Sequence, residues 1–428
     1  MRKSLSRSSV VVTAVGCVLA LTLSACGSDS QSASGSGATS AAGQSVSSSA
    51  QPAPTGTPIK IGALVDQTGP PASEYKESAG VATAWAKWVN ETQGGVNGHP
   101  VELIVTDVQS QTGVAAQAAR QMVDQGVVAI VAESGVAAGA IEPYLDEQQI
   151  PLLTLNDGTV APDAPTTVFT VDIGYPNEAK AAAVLAKVAG KDSIMSVVCA
   201  EFPACTGIGQ ILEEYAPTIG VAYKGTMSLA IDATSATAQC LQIADANPGM
   251  VATFLIVQPI TKLASTCQTQ GYPGPFAIYA NRQANLDLLQ PPTYGVLLDF
   301  PWWSEAAPVV EYRDAMATYG PDVDYQGYIA SNMWALLQLF NVAMTKSGPA
   351  ADAAVTGADV ITAYRTGVKE ETLDGLLPQP ITYAESGNTE IDCFWSIQYE
   401  GDGKFTTLSG EGASGNGATG DLASTCLE

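Results

Sequence analysis

Residues 127–140 read VVAIVAESGVAAGA. The apolar run Val127 to Ala132 stops at Glu133-Ser134-Gly135, and a stretch of small residues able to form a helix begins at once. A short apolar run closed by Ser-Gly reads as a strand buried on both faces, and the stretch behind it as the helix of a βα unit. Such a corner presents backbone N–H groups and a hydroxyl at a helix start, an arrangement suited to holding a polar ligand group.

The same cycle repeats on both sides. IKIGALVD (59–66) is a buried strand followed by a helix through SAGVATAWAKWVNE (78–91). VELIVTD (101–107) then leads to a helix through AAQAARQMVDQ (115–125), and PLLTL (151–155) is a fourth strand. A second series follows VFTVDIG (168–174). Its strands are SIMSVVCA (193–200), VAYKGTMSL (221–229), MVATFLIVQ (250–258) and PFAIYAN (275–281), with helices between them. Alternating strands and amphipathic helices predict an α/β fold of two doubly wound parallel-sheet lobes. Past Leu298, helices around 309–320 and 328–348 have no strand of their own and must pack on an existing sheet. The chain closes with strands near CFWSIQYEG and KFTTLSG.

The ends place the chain outside the cytoplasm. Arg2, Lys3 and Arg7 precede an apolar run from Val10 to Leu23, the layout of an export signal. Leu23-Ser24-Ala25-Cys26-Gly27 resembles the bacterial lipoprotein signal, so residues 1–26 are predicted to be a signal peptide with Cys26 as the lipidated residue. An ordinary secretory signal with a chance cysteine is the alternative. Residues 27–57 are a Ser/Gly/Ala tether too polar to bury a core. The anchor would hold the protein on the outer face of the cell membrane.

Losing the leader lowers the 18 basic residues to 15 against 42 acids, a balance of −27. That charge repels nucleic acid and anionic lipid head groups and excludes both as partners. Of 8 cysteines, Cys17 leaves with the signal and Cys26 takes the lipid. Cys199, Cys205, Cys240, Cys267, Cys393 and Cys426 remain for disulfides, and proximity favours 199–205, 240–267 and 393–426 among the possible pairings. A metal site is the competing reading, but His99 is the only histidine and no cysteine pair has C-x-x-C spacing. Neither metal nor cofactor is expected. Nucleophile-elbow and phosphate-loop motifs are absent, so no catalytic residues are assigned and the chain reads as a binder.

The order of IGALVDQTGP (61–70), NETQGGVNGHPVELIVTD (90–107), the corner at 127–140, QQIPLLTL (148–155), YQGYIASNMWALLQLF (325–340) and DGLLPQPITYAESGN (374–388) resembles the leucine/isoleucine/valine-binding family of type I periplasmic binding proteins. The resemblance implies three crossover segments, near 169–175, 298–304 and 378–388, with a ligand cleft between the lobes. It places 58–172 and 301–380 in lobe 1, and 173–300 and 381–428 in lobe 2. It also implies a small-molecule ligand (an amino acid, amide or organic acid), permease and ATPase subunits of an ABC importer as partners, and a monomeric chain. A ligand-sensing surface receptor of the same fold is the alternative.

Ligands in open α/β sheets sit beyond the carboxyl ends of the strands. In lobe 1 that selects Thr68, Tyr75, Ser134, Gly135, Asn156, Asp157, Gly158 and Tyr328. In lobe 2 it selects Phe202, Gln258, Asn281 and Arg282. By resemblance, the Ser134-Gly135 corner binds a ligand carboxylate, and Tyr75 and Tyr328 wall the ligand. A simple helix cap at Ser134 and ordinary packing of the tyrosines are the bland readings. The acid that pairs with a ligand ammonium in the amino-acid binders has no counterpart, because the matching stretch reads Tyr279-Ala280-Asn281-Arg282. Two ligand polarities stay open: an anion or amide held by Asn281 or Arg282, or a cation held by Glu133 or Asp157 with Arg282 on an anionic group. Solvent exposure of these charges is the third possibility.

Overall fold

The computed structural model describes residues 52–427 apart from 70–71, 156–165, 202, 231, 256, 280–281, 290–291, 384–388 and 410–413. The signal peptide, Cys26, nearly all of the tether, and the candidates Asn156, Asp157, Gly158, Phe202 and Asn281 lie outside the described residues.

Five parallel strands make the first sheet: β1 (Ile59–Val65), β2 (Val101–Asp107), β3 (Val127–Ala132), β4 (Leu152–Thr154) and β5 (Val168–Phe169), in the order β2-β1-β3-β4-β5. Every residue of β3 is buried, as a central strand covered on both faces requires. The second sheet holds β6 (Ser193–Cys199), β7 (Ala222–Leu229), β8 (Met250–Phe254), β9 (Phe276–Tyr279), β10 (Thr293–Leu297), β11 (Cys393–Gly401) and β12 (Lys404–Leu408). Their order is β12-β11-β10-β9-β8-β6-β7, with β13 (Thr425–Cys426) also paired to β11.

Two features of this sheet differ from an all-parallel expectation. β11 runs antiparallel to β10, and β12 and β13 run antiparallel to β11. The cause is local for β12: Asp402 and Gly403 take positive φ in a tight turn, and a turn that short can join only antiparallel neighbours. β10, which follows a Pro-Pro pair and carries a central glycine, has a turn-like composition yet lies fully buried between β9 and β11.

After β10 the chain returns to the first sheet. Helices Ala307–Tyr319 and Tyr328–Ser347 pack on Ser78–Thr92, and helix Gly357–Gly367 packs on β3. The helix Tyr175–Val188 packs instead on β10, β11 and β6. The chain therefore passes between the sheets after β5, after β10 and before β11. These passes are pinned by aromatic packing: Phe169 stacks on Tyr364 with ring centroids 4.3 Å apart, and the Tyr383 hydroxyl donates to the Thr170 carbonyl at 2.5 Å. Trp302 and Trp303 pack against Phe405, so this pair serves the second pass as core.

Cysteines pair as Cys199–Cys205, Cys240–Cys267 and Cys393–Cys426, the set that sequence proximity favours. All three lie on the second sheet or its helices, which leaves the passes between sheets without a covalent tie.

Candidate functional site

At the carboxyl end of β3, Glu133 is 1% exposed and Ser134 5%. Ser134 stands at the N-cap of helix Gly135–Gln148 with extended backbone, and its carbonyl accepts the Ala138 N–H at 2.8 Å. Its hydroxyl makes no capping bond to the helix. A serine at this position ordinarily satisfies one of the orphan N–H groups. Here the side chain is left for another use.

Glu133 meets the start of the helix Ser78–Thr92, where Ser78 Oγ hydrogen-bonds Glu133 Oε2 and also donates to the Tyr75 carbonyl at 2.8 Å. A serine has one proton, which Ser78 shares between these two acceptors. Burial, the dominant cause, together with the Asp172 carboxylate pushes the Glu133 pKa from 4.5 up to about 8, against the opposing pull of the Ser78 and Met333 hydrogen bonds. Burial thus favours a neutral Glu133 near pH 7.

A second acid faces it. Asp299 follows β10 and is fully buried; burial, then Glu133, raise its pKa well above the usual carboxylate range. Asn332, on helix Tyr328–Ser347, donates its amide to Asp299 Oδ2 at 3.0 Å. Asp172, just past β5, is buried as well. Glu133, Asp172 and Asp299 thus sit at the carboxyl ends of strands from both sheets, where ligands lie in open α/β folds.

Tyr328 opens its helix and is buried, its phenol pushed well up by burial first and then by Tyr75, Glu74, Glu178 and Asp172. Tyr75 is half-buried at the end of the short helix Ala72–Tyr75. The candidates Tyr75, Ser134 and Tyr328 therefore gather near one set of buried acids: Ser78 links Tyr75 to Glu133, and Asp172 acts on both Glu133 and Tyr328.

Arg282 is engaged by groups of the protein itself. It is 8% exposed, and its guanidinium donates to Glu77 Oε1 at 3.0 Å, to Asp324 Oδ2 at 2.5 Å and to the Ser73 carbonyl at 3.3 Å. Next to it, the Gln283 N–H donates to the Gln326 carbonyl at 2.9 Å. Arg282 follows β9 of the second sheet, whereas Ser73 and Glu77 precede or enter the helix packed on the first. The residue clasps the two sheets together, and its charge is met by protein carboxylates. Thr68 donates its hydroxyl to Asp107 Oδ2 at 2.6 Å and is exposed, and Gln258 is exposed in the first turn of helix Val257–Thr269.

Sequence reading did not single out Ser78, Asp172, Asp299 or Asn332. The one local signal for the acids is a lone aspartate inside an apolar run, VFTVDIG and GVLLDF. Nothing local marks Glu77 and Asp324 as partners of Arg282.

Among the described residues no group of three His, Cys, Asp or Glu side chains is placed to hold a metal ion, and no helix is long and apolar enough to cross a membrane. Residues 58–404 match the family model described as periplasmic binding protein. No curated protein matches the sequence. Among solved structures, the leucine-binding protein of Thermotoga maritima is 15% identical, with a TM-score of 0.65 over 82% of this chain and 97% of that one. The leucine-, isoleucine-, valine-, threonine- and alanine-binding protein of Brucella ovis, in its closed conformation, is 16% identical, with a TM-score of 0.67 over 82% and 94%. A fatty acid ABC transporter substrate-binding protein from Thermomonospora curvata is 15% identical, with a TM-score of 0.66 over 85% and 94%. Neighbours named for such different ligands share a fold and leave the ligand to the site. With the family model spanning both sheets, the chain belongs to the periplasmic binding protein family and is an extracytoplasmic solute-binding protein, not an enzyme.

Proposed function

We propose that the protein captures a small polar organic solute in the cleft between its two sheets and delivers it to the permease of an ABC importer, anchored to the outer face of the membrane through a lipid on Cys26. The lobes in this reading are 58–172 with 301–380, and 173–300 with 381–428. Ser134 and Gly135, with Tyr75 and Tyr328, form the first-lobe wall of the site. The observation that carries the reading is the Arg282 clasp: one side chain of the second sheet spans to Ser73, Glu77 and Asp324, the kind of contact that closure of two lobes around a solute makes. The same clasp weighs against Arg282 as the handle for a ligand carboxylate, since two protein acids already hold it.

The test is thermal unfolding of the full chain in detergent against a panel of small acids, amides, amines and amino acids. A solute at a hundred times its dissociation constant adds about 2.7 kcal/mol and raises the midpoint by several degrees. A chain that unfolds at one temperature across the whole panel is not a capture protein for small organic solutes. The anchor is checked separately: Cys26→Ala releases the protein from the membrane fraction.

A further inference from the structure

Glu133 and Asp299 are buried acids whose charged neighbours are themselves acidic: Asp172 acts on Glu133, and Glu133 on Asp299. Buried carboxylates elsewhere in proteins are offset by a cation or a full set of hydrogen bonds, because a bare charge away from water is costly. Neither condition holds here. Glu133 Oε1 and Asp299 Oδ1 have no hydrogen-bond partner. Neutral Asn332 supplies an independent sign. Fully buried and held against Asp299 through its amide nitrogen, it leaves its carbonyl oxygen without a donor. All three orphan atoms are acceptors. These three oxygens lack donors, and the charged groups acting on Glu133 and Asp299 are all acidic.

We propose that the solute is an organic cation, an ammonium or amidinium whose N–H groups are received by Glu133, Asp299 and Asn332 at the floor of the cleft. The assignment rests on the capture reading above. A bare metal ion fits poorly, since among the described residues no three carboxylates converge closely enough to ligate one. An organic nitrogen cation spreads several donors over a wider span, which matches acceptors contributed from β3, from the segment after β10 and from helix Tyr328–Ser347. Tyr328 shares the neighbour Asp172 with Glu133 and lies beside Tyr75, and aromatic rings so placed suit such a ligand, because the face of an aromatic ring attracts cations. The Arg282 clasp agrees in part: Glu77 and Asp324 already balance that guanidinium, although its buried Nε keeps no partner.

The experiment uses the full-length protein with putrescine, agmatine, benzamidine and methylguanidine as cationic probes, leucine and valine as zwitterions, 4-methylpentanoate as an anion and isovaleramide as a neutral amide. At least one cationic probe is expected to raise the unfolding midpoint. Glu133→Gln and Asp299→Asn are expected to weaken that probe by roughly tenfold or more, the loss of a charge-assisted contact. Glu102→Gln, on the exposed side of β2, serves as control and should bind as the parent does. Both site variants replace a buried acid by an uncharged amide of the same shape, so their own unfolding midpoints should hold or rise and show that they fold. Calorimetry at pH 7 in two buffers of different ionisation heat should show about one proton released per cation bound, as Glu133 gives up its proton. Stabilisation by leucine, 4-methylpentanoate or isovaleramide alone, or unchanged cation binding by Glu133→Gln, overturns the cation assignment and leaves the capture reading standing. No shift from any class overturns both.

Discussion

Arg282 and Asp324 are joined by an ion pair of 2.5 Å that runs from the loop after β9 to the loop before helix Tyr328–Ser347. Glu77 takes a second contact on the same nitrogen, and the Arg282 side chain is itself largely buried. Arg282→Ala should cost the closed arrangement about 1–3 kcal/mol, less than a fully buried pair because Asp324 remains partly exposed. Small-angle scattering should register a larger radius of gyration. Arg282→Lys should recover only part of the loss, since one ammonium cannot reproduce the fork that reaches Ser73 as well. An unchanged scattering profile in both variants would show that the clasp does not set closure.

Ser134 separates a cap from a ligand contact. Its hydroxyl makes no bond to the helix it precedes, so Ser134→Ala should change the unfolding free energy by less than about 0.5 kcal/mol, where loss of a working cap costs about 1 kcal/mol. Solute affinity should fall roughly fivefold to tenfold. A destabilised variant with intact affinity would reverse the assignment.

Glu133 makes stability depend on pH in a definite direction. Its pKa rises from 4.5 to about 8 on folding, so the folded state keeps a proton that the unfolded state gives up. Stability is greatest below pH 4.5 as far as this group is concerned, and declines as pH climbs toward 8, by on the order of a few kcal/mol. Asp172, Asp299 and Tyr312 are the titratable groups around it, and Ser78 and the Met333 backbone hydrogen-bond to it. Glu133→Gln should flatten the profile of the unfolding midpoint between pH 5 and 8 and raise its alkaline end. For a cationic probe, taking the wild-type protein from pH 8 to pH 6 should weaken binding roughly fiftyfold as Glu133 regains its proton. A wild-type profile as flat as that of Glu133→Gln would place the proton elsewhere.

The Cys393–Cys426 bond ties β11 to β13 across a separation of 33 residues. Replacing both with serine frees the C-terminal segment and should lower stability by about 3–4 kcal/mol on the loop-entropy account. Calorimetry under oxidising conditions reads this as a midpoint several degrees lower, whereas solute affinity stays near the parent value.

Much of this architecture is legible along the chain. Apolar runs such as VVAIVA, helices with one apolar stripe, and Gly- or Ser-rich corners are patterns among near neighbours, and backbone sterics and burial act on them locally. The cysteine pairing was legible for the same reason, since each partner lies within 33 residues of the other. β10 was not, because its composition resembles a turn and only pairing between β9 and β11 makes it a strand. The candidate corner at Ser134 could be located from sequence, but whether its hydroxyl caps the helix could not.

Charge partnerships lay beyond that reach. Arg282 read equally as a ligand handle or a solvated charge until folding brought it to Glu77, 205 positions earlier, and Asp324, 42 later. Asp299 and Asn332, 33 residues apart, and Glu133 and Ser78, 55 apart, likewise meet only when strands and helices of both sheets converge. Local pattern specifies which segments are strands, helices and corners, because those preferences belong to neighbouring residues. Which acids are buried together, and whether a cation faces them, is an electrostatic property of the assembled interior and arises only when distant segments leave water side by side.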